Sequence, residues 1–217
     1  TSPAGATHSM SWSTCCQMPE YPSLLAVGLL VNLSVCPALT VAAMPAVQSE
    51  LRVEVCFQHG CARNATVSLD QAIVSRLAHV LATANNPGEE RAAIARAIAK
   101  LESYVGAATG TDRDLGGTFP GAFRNGQMDC IDEATNTTRY LQLFVQQGWL
   151  RWHEPLEQVT RLPIPRGWWP HSTAVIRERD TGETFAVDSW FEANGQPPHI
   201  VDLPSWRRGW KPGAAQP

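Results

Sequence analysis

Residues 126–144 of this 217-residue chain read GQMDCIDEATNTTRYLQLF. Apolar or small side chains recur every three or four residues, which predicts a helix with one buried face; they are Ile131, Ala134, Thr138, Leu141 and Val145. Asp129 is a good N-cap residue, so we expect the helix to begin at Cys130. A thiol there meets unpaired N–H groups and the positive end of the helix dipole. Both favour the thiolate, the form of cysteine that attacks carbonyl groups.

The acidic residues around Cys130 act against the helix dipole. Asp129, Asp132 and Glu133 place negative charge near the sulfur, and nearby negative charge disfavours a second anion. The helix alone is therefore not enough to hold a thiolate, and we expect a cationic partner such as a histidine.

A predicted β-hairpin downstream supplies such a histidine. Residues 171–179 and 184–191 read as two strands joined by a turn at 180–183. His171 opens the first strand and Asp188 lies near the end of the second, so both are expected on one side of a sheet. Nucleophilic catalysis needs a nucleophile, a base and a group that orients the base, and Cys130, His171 and Asp188 supply these in chain order.

A cysteine that opens a helix, a histidine that opens a strand and an aspartate that closes the next strand resemble the transglutaminase-like superfamily of papain-like folds, over residues 87–192. The resemblance implies an α+β fold with helices packed on an antiparallel sheet. It also implies roles: Cys130 as the acyl-accepting nucleophile, His171 as general base and acid, and Asp188 as the residue that holds the imidazole.

The resemblance extends to the surroundings of the nucleophile. The oxyanion would be met by the Cys130 backbone N–H and by a side-chain amide, for which Gln127 and Asn136 are the candidates. Three tryptophans could wall an acyl pocket or simply pack the hairpin and the core: Trp168, Trp169 and Trp190. We expect no metal and no cofactor at this site.

A second pair of cysteines lies upstream. Residues 51–57 alternate apolar and charged side chains, which predicts a half-buried strand that leads into Cys56-Phe57-Gln58-His59-Gly60-Cys61. In an oxidising compartment Cys56 and Cys61 can close a small disulfide loop, which leaves Cys130 unpaired. A partial zinc site that includes His59, two free core thiols and a redox pair stay open as alternatives.

The remaining segments are predicted from local patterns. Ser68 begins a capping box before one helix, and Asn86 followed by Pro87 begins a second. Residues 106–127 read as a long loop that forms a wall of the site, and residues 154–170 as Pro-rich irregular chain. A short helix is expected within residues 203–210.

Residues 1–46 are predicted to be a leader and residues 47–217 the folded, transglutaminase-like domain. Residues 24–43 carry no charge and have the length of an export signal core, although no basic residue precedes them. An export signal, an uncleaved membrane anchor and a buried core segment stay open. The favoured interpretation is an exported protein, periplasmic or secreted, with attachment to the membrane through this segment as an alternative.

The net charge of the chain bears on which classes of partner it could bind. A net charge of −3 gives no basic surface for nucleic acid, so nucleic-acid binding is not expected. The sequence predicts thiol-dependent acyl transfer or amide hydrolysis, of the protease, amidase or transglutaminase type, on a peptide or cell-envelope amide. The alternatives are an inactive envelope module that binds or supports other molecules, and a redox protein that uses Cys56 and Cys61.

Overall fold

The computed structural model describes residues 50–117, 124–162 and 170–213. Its elements follow the order β1 (Leu51–Phe57), β2 (Arg63–Leu69), α1 (Gln71–Ala82), α2 (Pro87–Thr109), α3 (Cys130–Gln146), β3 (His153–Arg161), β4 (His171–Glu178), β5 (Thr184–Asp188), β6 (His199–Asp202) and α4 (Leu203–Arg207). All strand pairings are antiparallel. The fold is therefore the mixed helix and antiparallel sheet arrangement that the sequence predicted.

Helix α3 begins at Cys130, as predicted. The Asp129 carboxylate accepts hydrogen bonds from the N–H groups of Ile131 and Asp132, and the Asp132 carboxylate accepts one from the N–H of Asp129, which completes a capping box. The predicted buried face is only partly right, because Ile131 is 42% exposed whereas Asp132 and Glu133 are buried. These two acids contact polar groups inside the protein, which a purely apolar pattern does not reveal.

The four-stranded sheet has the order β3-β4-β5-β6 and contains the predicted hairpin as β4 and β5. Helix α3 packs against β3 and β4 and also against β1. The main core joins this helix to α1, α2 and both sheets. A second, smaller cluster joins β4 and β5 to α4 and includes the fully buried Trp206.

Two segments predicted to be irregular are regular in the structure. Residues 153–161 form strand β3, although Pro155 lies within it. The sheet tolerates this proline because β3 is an edge strand, and the pairing register shifts between Leu156 and Val159 as it does at a β-bulge. Helix α2 extends to Thr109 and ends at Gly110 with a φ of 80°, so the loop predicted from residue 106 begins later.

The N-cap residue predicted from the sequence is right for helix α2 and wrong for helix α1. Asn86 caps α2 with Pro87 in its first turn, as predicted. The cap of α1 is Asp70 and not Ser68, since Ser68 belongs to β2, a strand that the sequence pattern did not predict. The Asp70 carboxylate accepts the Ile73 N–H at 2.8 Å.

Residues 1–49 lie outside the described part of the chain, so the predicted leader and its apolar segment at 24–43 have no structural account here. In the ranges that are described, no helix has the length and hydropathy needed to cross a membrane.

Candidate functional site

Cys130 is half-buried at the first position of α3, next to the start of strand β4. Its sulfur lies 4.0 Å from the carbonyl oxygen of Pro170 and accepts a hydrogen bond from the backbone of Ser172. These two residues flank His171 in the chain. The start of α3 therefore places the sulfur beside the first residue of strand β4. Within the described ranges no hydrogen bond joins the sulfur directly to the His171 ring.

His171 and Asp188 form a buried pair. The Nε2 atom of His171 lies 2.7 Å from Oδ2 of Asp188, and the two residues are 5% and 1% exposed. The next residue, Ser189, exchanges a hydrogen bond of 2.9 Å with the hydroxyl of Thr137 on α3. This contact ties the end of β5 to the helix that carries Cys130.

Aromatic rings surround the imidazole. Its centroid lies 4.9 Å from that of Trp190, 5.2 Å from that of Phe191 and 5.6 Å from that of Trp206. Trp190 is half-buried and packs against the His171 ring. The other two predicted wall residues, Trp168 and Trp169, lie outside the described residues.

The electrostatics of the site do not favour an isolated thiolate. Burial raises the pKa of the Cys130 thiol, and the charges of Asp129 and Asp188 act in the same direction. The hydrogen bond from the Ser172 backbone and the Cys130 backbone itself act in the opposite direction, but they do not outweigh burial. A thiolate at this position therefore needs a positive charge beside it, as the acidic sequence around it indicated.

The predicted oxyanion amides are engaged elsewhere. The side chain of Asn136 pairs with the main chain of Cys56, with its Nδ2 donating to the carbonyl and its Oδ1 accepting from the N–H, both at 2.8 Å. Gln127 donates to the carbonyl of Arg113 at 2.6 Å and accepts from the N–H of Leu115. In the structure both amides hold chain segments in place.

The disulfide candidates are joined in the structure. Cys56 and Cys61 form a disulfide, and Cys130 is the free cysteine among the residues described. The loop between them folds onto the start of α3: the N–H groups of His59 and Cys61 donate to Asp132 at 2.7 and 2.6 Å, and that of Gly60 to Asp129 at 2.9 Å. The two acids that cap the Cys130 helix thus also hold this loop.

The disulfide also bears on the zinc alternative. The one group of potential metal ligands found in the described ranges is Cys56, Cys61 and Asp132, with ligand atoms within 4.8 Å of one another. Both sulfurs are consumed by the disulfide and are not available as thiolate ligands. The Asp132 carboxylate is occupied by main-chain N–H groups.

Three further buried acids are Glu133 in the first turn of α3, Glu102 on α2 and Asp114 in the loop that follows α2. Burial raises the pKa of Glu102 to about 8 and that of Asp114 to about 6, and it raises the pKa of Glu133 well above its ordinary value. Asp114 accepts the N–H of Met128 at 2.7 Å, so it anchors the chain just before Cys130. Glu102 and Glu133 line a cavity of about 10 Å³, which is room for about one water molecule.

Two residues near the His171–Asp188 pair were not predicted from the sequence. The indole N–H of Trp206 donates to Oδ2 of Asp188 at 2.6 Å. Arg161 is paired with His171 across strands β3 and β4, and its guanidinium is largely buried. The pattern that could have singled out Arg161 is its place at the end of a strand beside β4, but the proline-rich sequence hid that strand.

No protein-family model matches the chain, and comparisons with curated proteins and with solved structures find no match either.

Proposed function

We propose that the chain is a thiol-dependent enzyme for acyl transfer or amide hydrolysis, with a papain-like, transglutaminase-like arrangement of its helix and sheet. The observation that supports this most is the buried pair of His171 and Asp188 at 2.7 Å, next to a free cysteine at a helix start. A nucleophile, a base and an orienting acid within one small region form the arrangement that covalent acyl catalysis needs.

The pairing with Asp188 supports different roles for the two nitrogens of His171. Nε2 carries its proton toward the Asp188 carboxylate, which leaves Nδ1 to accept the thiol proton of Cys130. The sulfur then attacks the carbonyl carbon of the substrate, and the carbonyl oxygen takes up the negative charge. Backbone N–H groups at the start of α3, where helical donors have no partner within the helix, are suited to meet that charge.

The remaining steps return the proton. The tetrahedral intermediate collapses, the C–N bond breaks, and the imidazolium of His171 gives its proton to the leaving amine. The acyl group stays on Cys130 as a thioester. Water attacks the thioester in hydrolysis and a second amine attacks it in transfer, with His171 again accepting the proton. The C–S bond then breaks, the acid or the new amide leaves, and the proton on His171 returns to the Cys130 sulfur. The proposed substrate is a peptide or a cell-envelope amide, which an exported protein would meet.

Alkylation of Cys130 by iodoacetamide tests the proposal. We expect the rate, followed by mass spectrometry at the peptide that carries Cys130, to exceed that of a free thiol at pH 6 by about tenfold or more, since a free thiol has a pKa of about 8.5. His171→Ala should abolish this advantage. His153→Gln is the matched control, because it removes another buried imidazole and should leave the rate unchanged.

One observation favours the inactive envelope module as a second candidate. The pKa of the Cys130 thiol is raised, and the hydrogen bonds described for the sulfur go to main chain. An inert thiol would react at pH 6 no faster than a free cysteine, with or without His171. That outcome would reject the enzyme and leave the module.

A further inference from the structure

The short helix α4 places Trp206 in contact with both members of the His171–Asp188 pair. The Trp206 indole N–H donates to Oδ2 of Asp188 at 2.6 Å, and this same oxygen accepts from His171 at 2.7 Å. The other oxygen of Asp188 has no hydrogen-bond partner among the described residues. The orientation of the carboxylate therefore depends on the two donors that share Oδ2.

Arg161 is attached to the same helix from the neighbouring strand. Its Nη1 atom donates to the carbonyl of Trp206 at 2.5 Å and to that of Trp210 at 2.9 Å, and its guanidinium carbon lies 4.6 Å from the centre of the Trp206 ring. The Trp206 carbonyl also accepts the backbone N–H of Gly209 at 3.0 Å, so the arginine is a further donor to it. The guanidinium is thereby fixed in position.

The charge of Arg161 is not cancelled by a direct ion pair in the described ranges, because its hydrogen bonds go to neutral carbonyls. Burial lowers the pKa of Arg161, and the negative charges of Asp188 and Cys130 act in the opposite direction. An arginine stays protonated in proteins even so. Arg161 lies directly opposite His171 in the pairing of β3 with β4, and the sulfur lies beside Pro170 and Ser172, the two chain neighbours of His171, so Arg161 belongs to the same small region as the carboxylate and the sulfur.

The sulfur needs such a charge. It is half-buried and has Asp129 and Asp188 as its negative neighbours. We propose that Trp206 and Arg161 are positioning residues of this site: the indole fixes the Asp188 carboxylate against the imidazole, and the guanidinium supplies a permanent positive charge that stabilises the ionised sulfur. The inference rests on the proposed thiol chemistry.

The pH profile of Cys130 alkylation tests both roles. In Arg161→Met we expect the rise of the rate with pH to move up by about one pH unit, because loss of a nearby cation disfavours the thiolate. Arg161→Lys keeps the charge and should keep the profile near that of the natural chain. In Trp206→Phe we expect the rate at pH 6 to fall about tenfold, because the carboxylate that supports the imidazolium loses one of its two donors.

Two control variants separate these roles from packing alone. Arg177→Met removes an exposed arginine of β4, and Trp149→Phe alters an indole that packs on Phe144 near the other end of α3. Neither should change the profile. Circular dichroism shows which variants are folded. If Arg161→Met does not fold, the pH profile of Cys130 alkylation is measured on Arg161→Lys and Trp206→Phe instead.

The outcomes distinguish the two proposals. If the natural chain alkylates no faster than a free thiol, the proposed function fails. If the natural chain reacts fast while folded Arg161→Met and Trp206→Phe keep its profile and rate, the function stands and the positioning roles are overturned. A loss of thermal stability without a change of profile would also overturn them.

Discussion

At the scale of single residues, Glu90 shows how a buried charge is held. It has no exposed surface and accepts hydrogen bonds from the backbone N–H groups of Arg151, Trp152 and His153 and from the His153 ring, at 2.6–2.9 Å. Burial raises its pKa, but these hydrogen bonds outweigh burial, so the pKa of Glu90 lies below its ordinary value. One carboxylate thus joins α2 to the start of β3.

Glu90→Ala should be strongly destabilising. It leaves three main-chain donors and a buried imidazole without their acceptor, so we expect the free energy of unfolding to fall by about 3 kcal/mol or more. Urea unfolding measures it. The control is Glu89→Ala, which removes an exposed acid and should cost less than about 1 kcal/mol. Equal effects of the two variants would contradict the argument.

The residues that sequence reasoning missed share one property: their contacts depend on the tertiary fold and not on a local sequence pattern. Chain order and residue type were enough to single out Cys130, His171 and Asp188. Arg161 and Trp206 carry no such pattern, because their roles depend on strand register and on where a later helix docks. His153 looked incidental in the sequence, whereas the structure places it inside a buried network of charged groups.

At the scale of secondary-structure elements, the disulfide loop and helix α3 stabilise each other. The loop between Cys56 and Cys61 has Gln58 and His59 at positive φ, a conformation that side chains rarely adopt. Its N–H groups are satisfied by Asp129 and Asp132, the acids of the capping box. The loop conformation and the helix start are therefore one unit.

Replacement of both Cys56 and Cys61 by Ala should lower the free energy of unfolding by about 2 kcal/mol, the loop-closure contribution of a short disulfide loop. Urea unfolding without reductant measures the change. Reductant should lower the stability of the natural chain by a similar amount and should leave the double variant unaffected. A double variant as stable as the natural chain would contradict a stabilising role of the disulfide.

Local patterns predicted the elements where one signal dominated. Alternation predicted β1, periodicity with caps predicted α2 and α3, and two strand-like runs joined by a turn predicted the hairpin of β4 and β5. The strands β2 and β3 were missed for different reasons. Strand β2 has the sequence RNATVSL and begins with two polar side chains, and β3 contains a proline that its edge position makes acceptable.

At the scale of the whole molecule, buried acids make stability depend on pH. Glu102 on α2, Asp114 in the loop after α2 and Glu133 on the Cys130 helix come from three separate segments, and the charges of Glu102 and Asp114 act on Glu133. The pKa of Glu102 is raised from 4.5 to about 8 and that of Asp114 from 3.8 to about 6, chiefly by burial. In the folded state these acids therefore hold protons more tightly than in the unfolded state.

The sign of the pH dependence follows from this difference. The stabilisation is fully present below the ordinary pKa values and is lost as the pH rises through about 6 and then about 8. We expect the free energy of unfolding in urea to fall steadily from pH 5 to pH 8. Glu102→Gln should flatten the upper part of this fall, whereas the exposed control Glu157→Gln should not. Stability that rises with pH would refute it.

The position of Trp206 has a consequence for biosynthesis. A ribosome makes the chain from its amino end, so Cys130, His171 and Asp188 are all translated before the indole that lies 18 residues beyond Asp188. A nascent chain thus passes through a stage in which the carboxylate has been made but its second donor has not. Of the helices and strands described, the one translated last supplies this second donor.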